Sequence, residues 1–261
     1  MKKIALCFGG EYRTFDNEIV QNSLKHFICN QNLCDIYISI WDHRGTSLNH
    51  GNPLKTEKET ERIKEKHITD YFPNAVIEIE NYEQWKNSLN KKHAQMMQEN
   101  TLHKNCISQL YKKHKAHKLI PQNKEYDFVI NTRPDLFYFQ NFDFNEYVKQ
   151  KNTIWNFNPE NKWAYYPNRI FDILYMGQKE SVEKMAECYF NIDNLLNDPY
   201  NSNLHKIDCC KMLYIHAKNC KLEVKSTHDI LANVYRDHSS IEYNLKNCNI
   251  NEKDFLTKIT V

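Results

Sequence analysis

The stretch EYDFVINTRPDLFYF, residues 125–139, decides the fold. Phe128, Val129 and Ile130 form an apolar run of the kind buried on both faces of a parallel sheet. The run ends in Asn131-Thr132-Arg133-Pro134-Asp135, and a second apolar run, Leu136 to Phe139, follows at once. A cation and an anion therefore flank a proline at the end of a buried strand. Proline has no N–H and drives the residue before it toward extended backbone. The Arg133 and Asp135 side chains are thus held in place rather than left mobile.

Outward from this stretch, strand and helix patterns alternate. KKIALCFGG at the amino end reads as a buried strand closed by a turn at Gly9-Gly10. Residues 11–29 carry Ile19, Val20, Leu24, Phe27 and Ile28 at helical spacing. In CDIYISIWDH (34–43) Ile36, Ile38 and Ile40 alternate with Tyr37 and Ser39, and the strand stops at Trp41-Asp42-His43. Residues 44–56, with Gly45, Gly51 and Pro53, read as a loop. KTEKETERIKEKHITDYF (55–72) reads as a charged, exposed helix, AVIEIE (75–80) as a short strand, and residues 82–117 as one long polar helical region.

Beyond the opening stretch, NFDFNEYV (141–148) reads as a turn with a short helix and NTIWNF (152–157) as a strand. NRIFDILYMGQ (168–178) reads as a strand closed by Gly177, ESVEKMAECYFNIDNLL (180–196) and CCKMLYIHAKNC (209–220) as helices, and KLEVKS (221–226) as a last strand. The tail past Asp237 has weak periodicity and is expected to wrap the surface. Repeated strand–helix alternation predicts an α/β protein, three layers α/β/α around a mixed, mostly parallel sheet. A single domain over residues 1–261 is expected, with a core at 1–190 and a less regular helical part at 191–261.

The totals bound the function. The chain has 261 residues, 41% of them hydrophobic, enough for one sizeable core. A net charge of +2, from 35 basic and 33 acidic residues, argues against a nucleic-acid binder yet leaves room for a local basic pocket. The nine cysteines are odd in number and contain no CxxC pair. Several stand in apolar runs, which predicts free buried thiols in a reducing cytoplasm. The short run Ile4–Gly9 is followed at once by charge, so it reads as a first strand and not as a signal peptide. No segment approaches a membrane span, so any membrane association is expected to be peripheral, at the inner face.

In open α/β sheets ligands bind outside the carboxyl ends of the strands. Four polar clusters meet that description: Gly9-Gly10-Glu11-Tyr12-Arg13, Asp42-His43, Arg133-Pro134-Asp135, and Asp172 within RIFDILYMG. Two arginines among carboxylates suit a phosphate-bearing substrate, because guanidinium forks match phosphate oxygens and a carboxylate can hold a divalent cation. Gly9-Gly10 would let a ligand approach the backbone closely. A purely structural reading stands beside each: Arg133 and Asp135 as a salt bridge, Gly9-Gly10 as a turn without the full dinucleotide fingerprint, Asp42-His43 as a loop cap, Asp172 as an internally bonded acid. His114 and His117, in KKHKAHK, read as part of a solvated face.

KIALCFGGEYRTF, DIYISIWDH and YDFVINTRPDLFYF, in that order and spacing, resemble a group of bacterial and giant-virus glycosyltransferase-like proteins found with surface-polysaccharide genes. The resemblance covers residues 1 to about 190. It implies a GT-A-like nucleotide-sugar transferase fold and transfer of a sugar from a nucleotide-diphosphate sugar to a glycan acceptor in capsule or lipooligosaccharide synthesis. By position Arg133-Pro134-Asp135 stands where the group's metal-binding D-x-D falls, with Arg in place of the first Asp. The implied roles are Gly9, Gly10 and Tyr12 lining the nucleotide, His43 in substrate binding, and Arg13 and Arg133 on the diphosphate. Asp135 would hold a divalent cation (Mn or Mg) or a sugar hydroxyl, and Asp172, or failing it Asp42, would be the base. Two other readings remain open: a phosphoryl or phosphoramidate-type transferase acting on a sugar, and a non-catalytic binding protein of a polysaccharide gene cluster.

Overall fold

The computed structural model describes residues 1–45, 48–49, 52–53, 61–99, 106–141, 143–157, 168–198, 209–227, 232–235, 238–247 and 249–260. In chain order its elements are β1 (Lys3–Gly10), α1 (Glu18–Phe27), β2 (Leu33–Trp41), the short hairpin β3 (Leu48–Asn49) and β4 (Asn52–Pro53), α2 (Lys66–Thr69), β5 (Val76–Glu80), α3 (Tyr82–Ser88), α4 (Lys91–Glu99) and α5 (Cys106–Lys118). There follow β6 (Phe128–Thr132), β7 (Leu136–Tyr138), β8 (Thr153–Phe157), β9 (Leu174–Gly177), α6 (Lys179–Ala186), α7 (Ile192–Leu196), α8 (Cys209–Asn219), β10 (Glu223–Thr227), β11 (Ala232–Val234), α9 (His238–Asn247) and α10 (Glu252–Thr260).

The main sheet has the order β10-β8-β9-β6-β1-β2-β5. The neighbours β6, β1, β2 and β5 all run parallel, whereas β9 is antiparallel to both β6 and β8. Side chains alternate across the pleat. From β1, Ile4, Leu6 and Phe8 enter one apolar cluster with Val20, Leu24 and Phe27 of α1 and Phe255 of α10. Ala5 and Cys7 enter the other, with Leu110 of α5, Val182 and Met185 of α6 and Leu213 of α8. The result is a three-layer α/β/α architecture with a mixed, mostly parallel sheet, consistent with a GT-A-like fold. A small second sheet pairs β7 with β11. No helix among the described residues is long and apolar enough to cross a membrane. The eight cysteines among them are free thiols.

Several expectations are corrected. In the segment expected to be one charged helix (55–72), residues 54–60 lie outside the described residues and only Lys66–Thr69 is helical. Arg62 bridges His43 in extended pairing, and Ile63, Ile68 and Phe72 are buried, because this segment closes the core beside α1. The long helical region divides into α3, α4 and α5, and its residues 100–105 lie outside the described residues. The tail does not wrap the surface: Ile241, Leu245, Phe255 and Ile259 of α9 and α10 are core residues.

The largest correction concerns KKHKAHK. Lys112, Lys113, His114 and His117 are buried, not solvated. A Cβ on Gly9 would lie 2.6–2.7 Å from backbone atoms of Lys112 and Lys113, so α5 lies directly on β1. A helix pressed that close must bury nearly its whole circumference, and its lysines need partners inside. Lys112 Nζ donates to Glu80 Oε2 at 2.5 Å and Ser39 Oγ at 3.2 Å, and lies 4.3 Å from the Trp41 ring centre. Lys113 Nζ donates to Asn131 Oδ1 at 2.9 Å and lies 5.0 Å from the centre of the Tyr175 ring. Burial pushes the Lys113 amine down to about 8, with Asp172 opposing.

The buried histidines set an acid limit on stability. Burial pushes His117 down to about 4, against a smaller opposing pull from Glu183, and it also lowers His114 and His216. Their contribution is complete above the unfolded value near 6.5 and is lost as pH falls toward 4, because the unfolded chain takes up protons that the folded chain refuses. Denaturant titrations at pH 7 and pH 4.5 should differ by on the order of 2–3 kcal/mol from His117. His117→Gln should flatten that acid slope; an unchanged slope would show that His117 is not the group responsible.

Candidate active site

β1, β2 and β6 are parallel neighbours, with Gly9 opposite Ser39 and Phe8 opposite Thr132, so their carboxyl ends open on one edge. There the chain forms a narrow cleft of about 20 Å³, with Gly9, Gly10, Glu11 and Arg13 on one side and Arg133 and Pro134 on another. Trp41, Ser108 and Gln109 complete its walls. Larger, more open hollows lie elsewhere, one against Met1, Lys2 and Asn32 near the opposite ends of β1 and β2. They lack a converging charged cluster, and the carboxyl edge is where an open α/β sheet takes its ligand.

The two glycines do different things. Gly9 lets α5 reach the sheet, which carries Ser108 and Gln109, near the start of that helix, to the cleft. Gly10 has φ +139°, and a Cβ there would meet nothing closer than Pro134 Cδ at 4.0 Å, so its side of the cleft is open. Arg13 follows with φ +48°. Its N–H donates to the Arg44 carbonyl at 2.6 Å, and Arg44 Nη1 donates back to the Arg13 carbonyl at 2.6 Å. Arg44 also grips Asp16 through two bonds of 2.8 Å and Glu61 at 2.6 Å. Burial opposes the charge of Arg44, but Asp16 and Glu61 outweigh it and hold its pKa above the ordinary value.

Arg13 and Arg133 converge on one carboxylate. Asp135 Oδ1 accepts from Arg133 Nε at 2.9 Å, and Oδ2 accepts from Arg133 Nη2 at 2.7 Å and Arg13 Nη1 at 3.1 Å. Arg13 Nε donates to Glu11 Oε2 at 2.7 Å. Asp135 is 1% exposed, whereas the two arginines are each 14% exposed. The backbone of this turn is pinned as well: Arg133 N–H donates to the Ile173 carbonyl at 3.2 Å and Tyr235 N–H to the Asp135 carbonyl at 2.8 Å. Burial works against the Arg13 charge, yet Glu11 and Asp135 hold its pKa above the usual guanidinium value.

The metal role expected for Asp135 does not fit these contacts. A divalent cation needs several oxygens with lone pairs to spare, and both oxygens of Asp135 are engaged by guanidiniums. Among the described residues no group of three or more His, Cys, Asp or Glu is arranged to hold a metal ion.

Other expected site residues are placed differently. Tyr12 does not line the cleft: it is fully buried, with its hydroxyl donating to the His67 carbonyl at 3.0 Å and its ring edge-on to Phe15. The left-handed turn at Arg13 separates the two side chains, sending Tyr12 to the core. Asp42 accepts from Tyr82 N–H at 3.2 Å, Asn81 Nδ2 at 2.7 Å and the Arg62 guanidinium, so it anchors the start of α3 and is not a free base. His43 packs edge-on against Tyr82 at 5.0 Å and pairs through its backbone with Arg62. Asp172 is not within a strand but in the bend just before β9. Because β9 is antiparallel, that bend shares the carboxyl edge. The Asp172 carbonyl accepts from Gln109 Nε2 at 3.2 Å, and its carboxylate faces Cys210 Sγ at 3.8 Å.

Sequence reasoning assigned no role to Glu11, Arg44, Trp41, Ser108, Gln109, Lys113 or Asn131. Glu11 sits inside a quoted cluster and was within reach. Nothing local marks Lys113, since a lysine pair in a polar helix reads as solvated.

Fold and cleft together define a three-layer α/β/α protein with an arginine-lined pocket at the carboxyl edge of its sheet. No protein-family model and no curated protein matches the chain. Solved structures do resemble it. Core-mannan synthase A from Aspergillus fumigatus, in a Mn/GDP form, aligns at 11% identity and a TM-score of 0.46 over 89% of this chain and 74% of that one. Mouse xyloside xylosyltransferase 1, in its apo form, aligns at 7% identity and a TM-score of 0.38, covering 84% and 81%. The galactosyltransferase LgtC, in complex with donor and acceptor sugar analogues, aligns at 8% identity and a TM-score of 0.44, covering 86% and 73%.

Proposed function

We propose that the protein is a glycosyltransferase that moves a sugar from a nucleotide-diphosphate sugar to a hydroxyl of a glycan acceptor. The observation that carries this reading is the convergence of Arg13 and Arg133 on Asp135 at the cleft beside Gly10. Two guanidiniums with N–H groups to spare can take phosphate oxygens and stabilise the charge that collects on a departing diphosphate. In the transfer the acceptor oxygen bonds to the anomeric carbon. The bond from that carbon to the diphosphate oxygen breaks, and its electron pair leaves with the diphosphate. The acceptor proton passes to a base, for which Asp172, on the same edge, is our candidate. The setting we propose is surface-glycan assembly at the inner face of a membrane.

The test is nucleoside-diphosphate release from a panel of nucleotide sugars, comparing wild type with Arg133→Lys. Lysine keeps the charge but loses the planar fork. Turnover should fall by about 100- to 1,000-fold, the scale of a lost transition-state donor, more than the loss of thermal midpoint from the weakened pair with Asp135 accounts for. A variant with wild-type turnover on the true donor would remove Arg133 from the reaction. A binding role without catalysis is a second reading, favoured by the engagement of the Asp42 and Asp135 oxygens within the protein. Saturable nucleotide binding without release of product from any donor would support it.

A further inference from the structure

The charges at the cleft form a chain: Glu11 on Arg13, Arg13 on Asp135, Asp135 on Arg133. Two carboxylates against two guanidiniums make the cluster formally neutral. A diphosphate arriving at a neutral cluster gains little attraction unless one anion makes way. The two carboxylates are not equivalent. Asp135 is 1% exposed and accepts bonds from both arginines through both of its oxygens. Glu11 is 15% exposed, lines the cleft, and is paired with the Arg13 Nε. It packs against Gly45, where a Cβ would come within 2.7 Å of the Glu11 side chain, so only glycine there leaves room for it.

We propose that this cleft takes the diphosphate of its ligand without a divalent cation, by exchanging the Glu11 carboxylate for a phosphate oxygen on Arg13 while Asp135 keeps both guanidiniums in place. The inference rests on the nucleotide-sugar reading of the cleft. Each guanidinium carries five N–H groups. Arg133 uses Nε and Nη2 on Asp135, and Arg13 uses Nη1 on Asp135 and Nε on Glu11. Departure of Glu11 frees Arg13 Nε and turns the cluster from neutral to +1, the change an incoming anion needs. A cation at Asp135 would instead have to displace two guanidiniums from the oxygens it requires, against their repulsion. Asp135 therefore acts as a positioning residue for the arginines.

Calorimetric titration with UDP and with GDP tests this, using wild type and Glu11→Gln, each in EDTA and in Mn²⁺. Glutamine keeps the shape and an acceptor but not the charge, and near-UV circular dichroism checks that the fold is retained. At least one of the two nucleotides should bind wild type as tightly in EDTA as in Mn²⁺. Glu11→Gln should bind it about two- to fivefold more tightly, the scale of removing one competing, partly exposed ion pair. Binding that appears only with Mn²⁺ overturns the inference and leaves the nucleotide-sugar reading standing. Metal-independent binding that Glu11→Gln weakens or leaves unchanged overturns the exchange. Failure of both nucleotides under every condition removes the reading itself, and the inference with it.

Discussion

Asp135→Ala is expected to lower the free energy of unfolding by about 3–5 kcal/mol, the cost of removing one partner from a buried ion cluster. The cause is not the loss of attraction alone. With Asp135 gone, Arg133 loses both of its bonds to this carboxylate and Arg13 keeps Glu11. Two largely buried cations would then face each other at a site meant to hold an anion between them. For a chain of this size each kcal/mol moves the thermal midpoint by roughly 2–4 °C, so the shift is easily read. Asp42→Ala is the natural comparison. Asp42 also accepts several bonds, but its side chain is 19% exposed and one of its partners, Arg62, is 63% exposed, so solvent screens the loss. Equal effects of the two substitutions, or an Asp135→Ala cost below about 1 kcal/mol, would show that Asp135 does not hold the arginines as described.

Gly9→Ala should be the other costly substitution. Its added Cβ would meet Lys113 N at 2.6 Å and the Lys112 carbonyl carbon and oxygen at 2.7 Å. These are backbone atoms of a helix, which cannot rotate aside as a side-chain tip can. The strand is central, paired with β2 on one side and β6 on the other, so it cannot retreat either. α5 has to lift, at a cost of about 1–3 kcal/mol or more for overpacking. The lift would carry Lys112 away from Glu80 and Trp41, and Ser108 and Gln109 away from the cleft. Gly9→Ala should therefore change the near-UV circular dichroism and weaken the nucleotide binding proposed for the cleft together. Gly10→Ala has room for its methyl group but sits at φ +139°, so it should cost backbone strain of about 1–3 kcal/mol while α5 stays in place. A Gly9→Ala protein with wild-type stability would contradict the contact between α5 and β1.

The candidate site was legible in the sequence only in part, and particular residues show why. Arg13, Arg133 and Asp135 were readable as a set because each stands next to a strand end marked by Gly or Pro, and strand ends in such sheets meet at one edge. Tyr12, in the same cluster, was misplaced. Whether two adjacent residues point together or apart depends on one backbone angle, here the left-handed Arg13, and no residue type signals it. The expected metal role of Asp135 is hard to judge from sequence for a different reason. A carboxylate's availability depends on what else reaches its oxygens, and Arg13 reaches Asp135 from 122 residues away.

The α/β class, the strands β1, β2, β5, β6, β8 and β10, and the helices α1 and α8 could be read from the residues alone. Buried runs, period-two alternation and the punctuation of Gly and Pro are local properties, and they survive translation into structure without knowledge of partners. That β9 runs antiparallel, that Lys112, Lys113, His114 and His117 lie inside, and that Asp135 is a bracket for two arginines came only from how the elements pack. Each of these depends on which surfaces meet, and a lysine beside a histidine reads the same on a helix in water as on one pressed against Gly9.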